Sequence, residues 1–562
     1  MNMKIKTLLG VPLLMLVMAS CNYLDFDETS GRRTREDMTL YFYNMDALLV
    51  SIYSYLPQDL GTIGGAMRDC ATDDAEFGTM NASVQGFNNG TWSAINNLDS
   101  QFSLYNAIRE ANDFLVLLED FDISRFAYDV EYQQWAKKLQ YFPYEARVLR
   151  AYYFFELARR YGDIPMPLKV MTLEEGNSIA KTRFDDVIDF IVSECEQCAP
   201  ELPDTYEDVT GQIGRVTKGF AMAVKSKALL YAASKLHNPN GDVEKWKKSA
   251  KAAYDIIKYG KFQLDPKGVP NRIESPEAVL FRMNGSSSWF EQQNFPVRFT
   301  KGKRSNLTAT TYPSQNLVDA FETIRGYKVV LGENGWVTDD PNFDVSSPYE
   351  NRDPRLARTV LANGHEFKGE RIETYSGGAD DFSILEGGSP TGYFLRKYII
   401  DEVDFTPNAE VTKNHFWVIY RYAETLLTYA ESMIYAFSDP DYVQLPDYPK
   451  SALWALNEVR TNAGMPHVTV TDKEEFIQKL RNEWRVEFAF EDHRFWDVRR
   501  WMIGKDTQEQ LDGVQIEKSG EGFTYKRFNY ESRKWDEKMN LFPIPQRELY
   551  VNPNLFPQNA GW

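Results

Sequence analysis

Cysteine is scarce in this chain: four in 562 residues, at positions 21, 70, 195 and 198. That excludes a disulfide-stapled scaffold, and with five scattered histidines it leaves Cys195-x-x-Cys198 without the second ligand pair a zinc site needs. The pair reads instead as two neighbours, (i, i+3), on one helix. Long apolar runs are also missing. Beyond the first 20 residues no stretch reaches the 18 or so apolar positions that a membrane-crossing helix requires. Positive charge is in deficit, with 63 Lys and Arg against 81 Asp and Glu and a formal net charge of −18. No basic stripe offsets it, so nucleic acid is excluded as a partner and neutral or cationic ligands are favoured. Nucleophile elbow, phosphate loop, dinucleotide fingerprint and HExxH are all absent.

The beginning of the chain has a definite pattern. Two lysines, Lys4 and Lys6, precede an apolar run from Thr7 to Val17, and Met18-Ala19-Ser20 leads to Cys21. The run is too short to span a bilayer, and small residues before a cysteine are the mark of a lipoprotein leader, with Met18 where leucine is usual. Residues 1–20 are expected to be removed. Cys21 then becomes an acylated N-terminus, and two or more acyl chains, at about 0.8 kcal/mol per buried CH₂, give stable anchoring. Aromatics are abundant, 12 Trp, 32 Tyr and 35 Phe, a supply that suits both a core and the binding of flat apolar faces such as sugar rings.

Helical periodicity marks 46–55, 104–119, 144–161, 185–197, 217–236 and 243–259, with Thr217 placed to cap the fifth. From 262 to 416 the pattern breaks into short apolar pieces between Gly, Pro, Asn and Ser clusters. A structureless loop of that length does not fit a compact protein, so this region reads as an ordered excursion supported by the helices. Helices return at 417–437, 448–462 and 474–502, the last with Gly504 as its C-cap. Helix pairs at intervals of roughly 35 to 45 residues resemble tetratricopeptide stacking. In the last helix Arg481, Glu483, Arg485, Glu487, Glu491, Asp492, Arg494, Asp497 and Arg499 interleave with the apolar stripe. They read as Arg–carboxylate pairs stapling that helix to its neighbours, because a half-buried charge costs several kcal/mol unless paired.

Several of these segments carry a resemblance. LRNEWRVEFAFEDHRFWDVRRW, residues 480–501, is similar to the C-terminal signature helix of the SusD/RagB family of surface nutrient-binding lipoproteins. ARVLRAYYFFELARRYGDIP (146–165) resembles the family's central helix and the turn after it. GRVTK (214–218), RYAETLLTYAES (421–432), NEVR (457–460), FPIP (542–545) and Gln558-Asn559 follow in the family's order. The resemblance spans Cys21 to the C-terminus. It implies an all-α-dominated fold: four tetratricopeptide-like helix pairs in one domain, 21–562, supporting a large irregular loop region with short strands. It further implies a glycan ligand, no catalysis, and a SusC-like TonB-dependent transporter that the lipoprotein covers as a hinged lid at the outer membrane. The acidic Asp25, Asp27 and Glu28 after Cys21 fit export to the cell surface.

A glycan binder needs aromatic platforms and hydroxyl-capturing polar groups. Trp92, Trp289 and Trp336 stand in Gly-, Asn- and Ser-rich surroundings unlike those of core anchors. The 64–77 segment resembles the family loop that reaches the ligand, which makes Asp73 the preferred hydroxyl acceptor, near Trp92. Asp46 is a weaker candidate, explained equally by an N-cap. Arg371 and the Arg396-Lys397-Tyr398 segment close the site from the other side, Arg with its fork and Tyr with its polar-tipped ring. The stretch 23–31 and the 69–77 loop look most like the fructan (levan-type) branch. Asp339, Asp340 and Asp344, and Asp380 with Asp381, lack the spacing of a calcium loop and read as solvated acidic loops: no cofactor is expected and calcium is not required. Two alternatives stand beside this reading, a binder of peptide or another non-sugar nutrient for the same type of transporter, and a helical glycoside hydrolase.

Overall fold

The computed structural model describes residues 35–207, 211–268 and 272–562; the leader 1–20 and Cys21 lie outside the described residues. Eight helices form its frame: α1 Phe42–Tyr53, α2 Leu104–Asp120, α3 Phe142–Tyr161, α4 Phe184–Cys198, α5 Lys218–Ala233, α6 Val243–Tyr259, α7 Tyr422–Phe437 and α8 Ala452–Asn462. Each packs on the next in that order, giving the four helix pairs. Local chemistry sets their ends. Thr217, Asp242 and Ser451 accept backbone N–H groups at the starts of α5, α6 and α8, and Gly260, in the left-handed region at φ +67, ends α6. Cys195 and Cys198 are buried free thiols on α4.

Helix α3 is buried almost all round, so it is the centre of the frame, and its charges have to be paired there. Arg215 reaches Glu145 at 2.9 Å, Arg150 reaches Glu194 at 2.9 Å, and Glu156 takes Arg160 at 2.9 Å and Arg159 at 2.7 Å.

The excursion leaves after α6 and returns at α7, and because α6 packs directly on α7 the frame runs on as though nothing intervened. Its two ends are sewn together by strands. Ala278–Ser287 pairs antiparallel with Lys413–Arg421, from Ala278 opposite Arg421 to Ser287 opposite Lys413, with the register shifting between Asn414 and His415 and on either side of Tyr420. Helix was expected from Trp417; residues 417–421 are strand instead. The run Phe-Trp-Val-Ile-Tyr is aromatic and β-branched, and a partner strand 135 to 143 residues upstream was invisible to local periodicity.

The expected helix 474–502 is two helices, α9 Lys473–Glu487 and α10 His493–Trp501. Phe490 and Asp492 between them are left-handed, at φ 59 and 67. This break is held from outside: the Phe490 N–H donates to Asp69 at 3.1 Å, and Asp492 accepts from Arg68 and from the Trp496 indole. Gly504 is not a C-cap. Met502 takes the left-handed position after α10, and Gly504 serves close approach, since a Cβ there would lie 1.9 Å from the Trp535 ring.

The expected stapling of α9 and α10 by arginines is present. Arg485 and Arg494 both hold Asp73, and Arg500 holds Glu431 and Asp497. Arg421, on the last residue of its strand, joins Glu277, Glu487 and Glu491 at 2.6–2.7 Å. Two arginines depart from the pattern. Arg481 donates to the Tyr435 hydroxyl at 3.1 Å instead of a carboxylate. Arg499 is buried with no carboxylate partner among the described residues, lying 3.4 Å from the Phe495 ring centroid, and burial pushes its pKa well below the usual arginine range.

Two predictions follow from this charge arrangement. Arg421→Met strands three buried carboxylates and should destabilise by about 3–5 kcal/mol, whereas Arg499→Met, which removes an unpaired buried charge, should leave stability unchanged or higher; equal losses in denaturant unfolding would contradict the pairing. Acid should also unfold the chain in a defined window. Burial alone would raise the carboxyls of Glu424 and Asp99, but Lys227 with His493, and Arg68 with Arg160, hold each down to about 2, against ordinary values of 4.5 and 3.8. Folded values below unfolded ones mean stabilisation that is complete above the ordinary value and lost as pH falls toward 2. The stability that Glu424→Gln and Asp99→Asn each remove should be constant above pH 5 and shrink between about 4.5 and 2; a difference from wild type that stays unchanged across that window would exclude these pairs as contributors.

Candidate functional site

Of the twelve tryptophans only Trp289 is strongly exposed, at 41%. It opens a short helix, Trp289–Asn294, directly after the first excursion strand. Its ring lies across Gly61, which has φ +93 and where a Cβ would fall 2.3 Å from the ring. Only glycine lets the indole sit on that backbone. Hydroxyl-bearing residues surround it: Ser287 accepts the Trp289 N–H, and Ser286 shares a hydrogen bond of 2.6 Å with Thr412.

The helix beneath the ring is fixed from several directions. Buried Glu291 accepts from Ile400 N–H at 3.1 Å and shares a 2.8 Å hydrogen bond with His415. Arg304, itself buried, donates to the carbonyls of Gln292, Phe295 and Leu307, which suits the negative end of a helix. Phe290 packs edge-on against Tyr398. The indole is therefore held by a rigid support while its outer face remains open.

Arg298, just beyond this helix, ties three further segments to it. It donates to Asp380 through two bonds of 2.8 Å, to Glu370 at 2.7 Å and to the carbonyl of Arg371 at 3.0 Å. Arg371 is exposed, and its guanidinium makes no hydrogen bond or ion pair among the described residues. Phe382, two residues past Asp380, is 50% exposed. Sequence reasoning missed Phe382; its setting, Asp-Asp-Phe-Ser before a Gly-Gly-Ser-Pro turn, was the same kind of polar, small-residue context that singled out the tryptophans.

The other expected site residues go elsewhere. Trp92 is 2% exposed and lies among Phe87, Phe542 and Trp562 with centroids 4.6–5.0 Å away; it is core, not platform. Asp73 is buried, taking Arg494 through two bonds of 2.8 and 2.9 Å, Arg485 at 2.8 Å and Gln508 at 2.6 Å. Burial opposes its ionisation, but Arg485 and Arg494 keep its carboxyl well below the usual range. With its oxygens filled it has none to offer a sugar hydroxyl. Asp46 lies inside α1, not at its cap, half-buried beside Arg215 at 3.4 Å.

Tyr398 is buried, stacked on Trp417 at 5.4 Å, and borders a partly open cavity of about 270 Å³ whose walls include Arg355, Arg421, Glu487 and Glu491. Its neighbours Arg396 and Lys397 pair with Asp401 and Glu491. Tyr398 thus supports the Trp289 helix from within and does not face a ligand beside it. Trp336 belongs to a separate cluster with Phe343, Tyr349 and Tyr525, half-buried under the Arg352 guanidinium. Among the acidic loops, Asp340 is taken by Arg325 and Asp380 by Arg298, and no group of three His, Cys, Asp or Glu among the described residues could hold a metal.

The profile described as the SusD family matches residues 276–562, and one described as starch-binding, associating with outer membrane, matches residues 22–230. SusD-like protein P2 of Formosa agariphila is 25% identical over 427 residues, 74% of this chain and 73% of that one; P25 of the same organism is 22% identical over 441 residues, 74% and 72%. A solved SusD-like protein from Bacteroides fragilis superposes with TM-score 0.76 at 24% identity, over 92% of this chain and 97% of its own. A SusD-like carbohydrate binding protein from the same species gives 0.72 at 23%, over 92% and 99%. A laminarin binding SusD-like protein gives 0.57 at 20%, also over 92% and 99%. At these identities the solved structures show a shared fold.

The reassignment of Trp92 has a measurable outcome. Trp92→Ala should lower stability by about 3–5 kcal/mol, the range for an emptied large core site, with a shifted thermal midpoint and unchanged ligand affinity in the folded fraction. A variant of native stability would return Trp92 to the surface.

Proposed function

The chain belongs to the SusD family, and from that premise we propose that it is a non-catalytic glycan-binding lipoprotein of the outer membrane, held by acylated Cys21. It captures oligo- or polysaccharide, a fructan of the levan type foremost, and passes it to a SusC-like TonB-dependent transporter. The observation that carries this reading is Trp289: a lone exposed indole on a rigid helix, seated on a glycine that nothing larger can replace. An aromatic face so placed stacks on the apolar face of a sugar ring, and Arg371 offers a fork to vicinal hydroxyls or ring substituents. Outer-membrane association agrees with the description of the N-terminal profile, and glycan binding with the names of two of the structural relatives.

One carboxylate of raised pKa is excluded as a catalytic acid by its position. A hydrolase needs a carboxylic acid of raised pKa facing substrate. Glu76 has such a value, since burial pushes it to about 7 against the pull of Arg533. Yet it is enclosed, bonded to Gln85 and Arg533, and no bound sugar would reach it.

Titration calorimetry against levan, inulin, starch, laminarin and xylan tests the proposal. The best ligand should bind Trp289→Ala at least tenfold more weakly, a loss of about 1.4 kcal/mol, with no new reducing ends formed by the wild type. Affinity within twofold of wild type would place the site elsewhere; released reducing ends would make the protein an enzyme.

A further inference from the structure

A second hollow lies far along the chain from Trp289. It opens to about 690 Å³ between the N-terminal half of α2, the segment 165–179 that follows α3, and the C-terminal segment 547–555. That volume is in the range of small-ligand pockets. The walls are pre-formed. The Tyr105 hydroxyl donates to the Pro165 carbonyl at 3.0 Å, and its ring lies 4.9 Å from that of Phe102. Buried Asn112 donates to the carbonyls of Pro167 and Lys169 and accepts from Arg150, and Asn552 donates to Ile179 at 2.8 Å. All three segments are thereby locked to one another or to the core.

Against these committed groups stand four that are not. The side chains of Asn106, Asn177, Arg547 and Glu548 face the hollow and make no hydrogen bond or ion pair among the described residues. Nearby, Lys169 is partnered by Glu175 at 2.7 Å, and Arg109 meets Asp113 only at 3.7 Å. Three cations and one carboxylate line the cleft, the reverse of the balance in a chain with net charge −18.

We propose that this cleft is a second carbohydrate site, which takes a sugar bearing a carboxylate or sulfate group. The proposal rests on the reading of the chain as a glycan binder. Tyr105 and Phe102 supply aromatic surface, Asn106 and Asn177 pair with hydroxyls, Glu548 accepts from a hydroxyl, and Arg547 presents two parallel N–H groups to the anionic substituent. Because the site is open to water, its charge recognition weakens with salt.

The test is calorimetry on the whole chain and on Trp289→Ala, in 50 and 300 mM NaCl, with an oligogalacturonate as the carboxylate probe, a sulfated dextran oligosaccharide as the sulfate probe, and a neutral dextran oligosaccharide as control. At least one acidic probe should bind both proteins alike, more tightly in low salt, and more tightly than the control. Arg547→Ala should reduce that binding tenfold or more. Arg547→Lys, which keeps charge but not the fork, should recover only part of it. The proposal falls if neither acidic probe binds, or if Arg547→Ala binds within twofold of wild type. If the neutral panel still responds to Trp289→Ala when the acidic probes fail, only the cleft is lost; if no glycan of either kind binds, the reading of the whole protein is lost with it.

Discussion

Arg421 holds the molecule together at the point where it would otherwise come apart. It ends the strand that brings the excursion back, and its guanidinium reaches Glu277 at the start of the excursion and Glu487 and Glu491 at the end of α9 and in the break beyond it. Four charges this poorly exposed to water are stable only as a group, because each alone would cost several kcal/mol to bury. The excursion therefore closes only when its two ends and the last helices are in place together. Glu487 is shared with Arg355, which also takes Glu483 and Asp353, and Glu483 in turn is shared with Arg460. The clamp is thus one node in a connected network that spans the middle and the end of the chain.

A surface platform needs such rigidity beneath it. The Trp289 helix is too short to be stable by its own hydrogen bonds, and it is held instead by its own Glu291 bonded to His415 of the returning strand, by Arg304 at its C-terminal carbonyls and by Phe290 against Tyr398. Tyr398 stacks on Trp417 of the same strand that Arg421 ends. The sequence of supports runs from the ionic network through one strand to the exposed indole, so little freedom remains for the ring to lose on contact with a ligand.

Legibility from sequence followed the range of the interactions. Helix α6 was readable to the residue, because Asp242, Gly260 and the apolar spacing between them are all local. The paired role of the α9 and α10 charges was also readable, since charges interleaved with an apolar stripe have few other resolutions. Long-range partners were not. Trp417–Arg421 reads as helix until its partner strand is known, and the break at Phe490–Asp492 depends on Asp69 and Arg68, more than 400 residues away in sequence. Asp73 was placed by the resemblance of its loop to a ligand loop, and the distant Arg485 and Arg494 take its oxygens; Trp92 failed because a polar, flexible-looking neighbourhood was read as exposure, yet the C-terminal Trp562 covers it. Trp289, in the same kind of neighbourhood, has no later segment folded over it.

The contrast between the two surface features bears on how such a protein would release what it holds. Trp289 offers one face of one ring, with no wall opposite, and the cleft beside Tyr105 offers several groups but stays open to water. Neither arrangement encloses a ligand, and sites that leave much of a ligand solvated lose it quickly, since differences in affinity lie mostly in the off-rate. A polymer carrying both neutral and anionic sugars that touched both points would gain residence from the second contact without slowing either one, because breaking one leaves the other to hold the polymer nearby at high effective concentration. Retention by number and release by weakness are what a protein requires when its proposed task is to pass cargo onward.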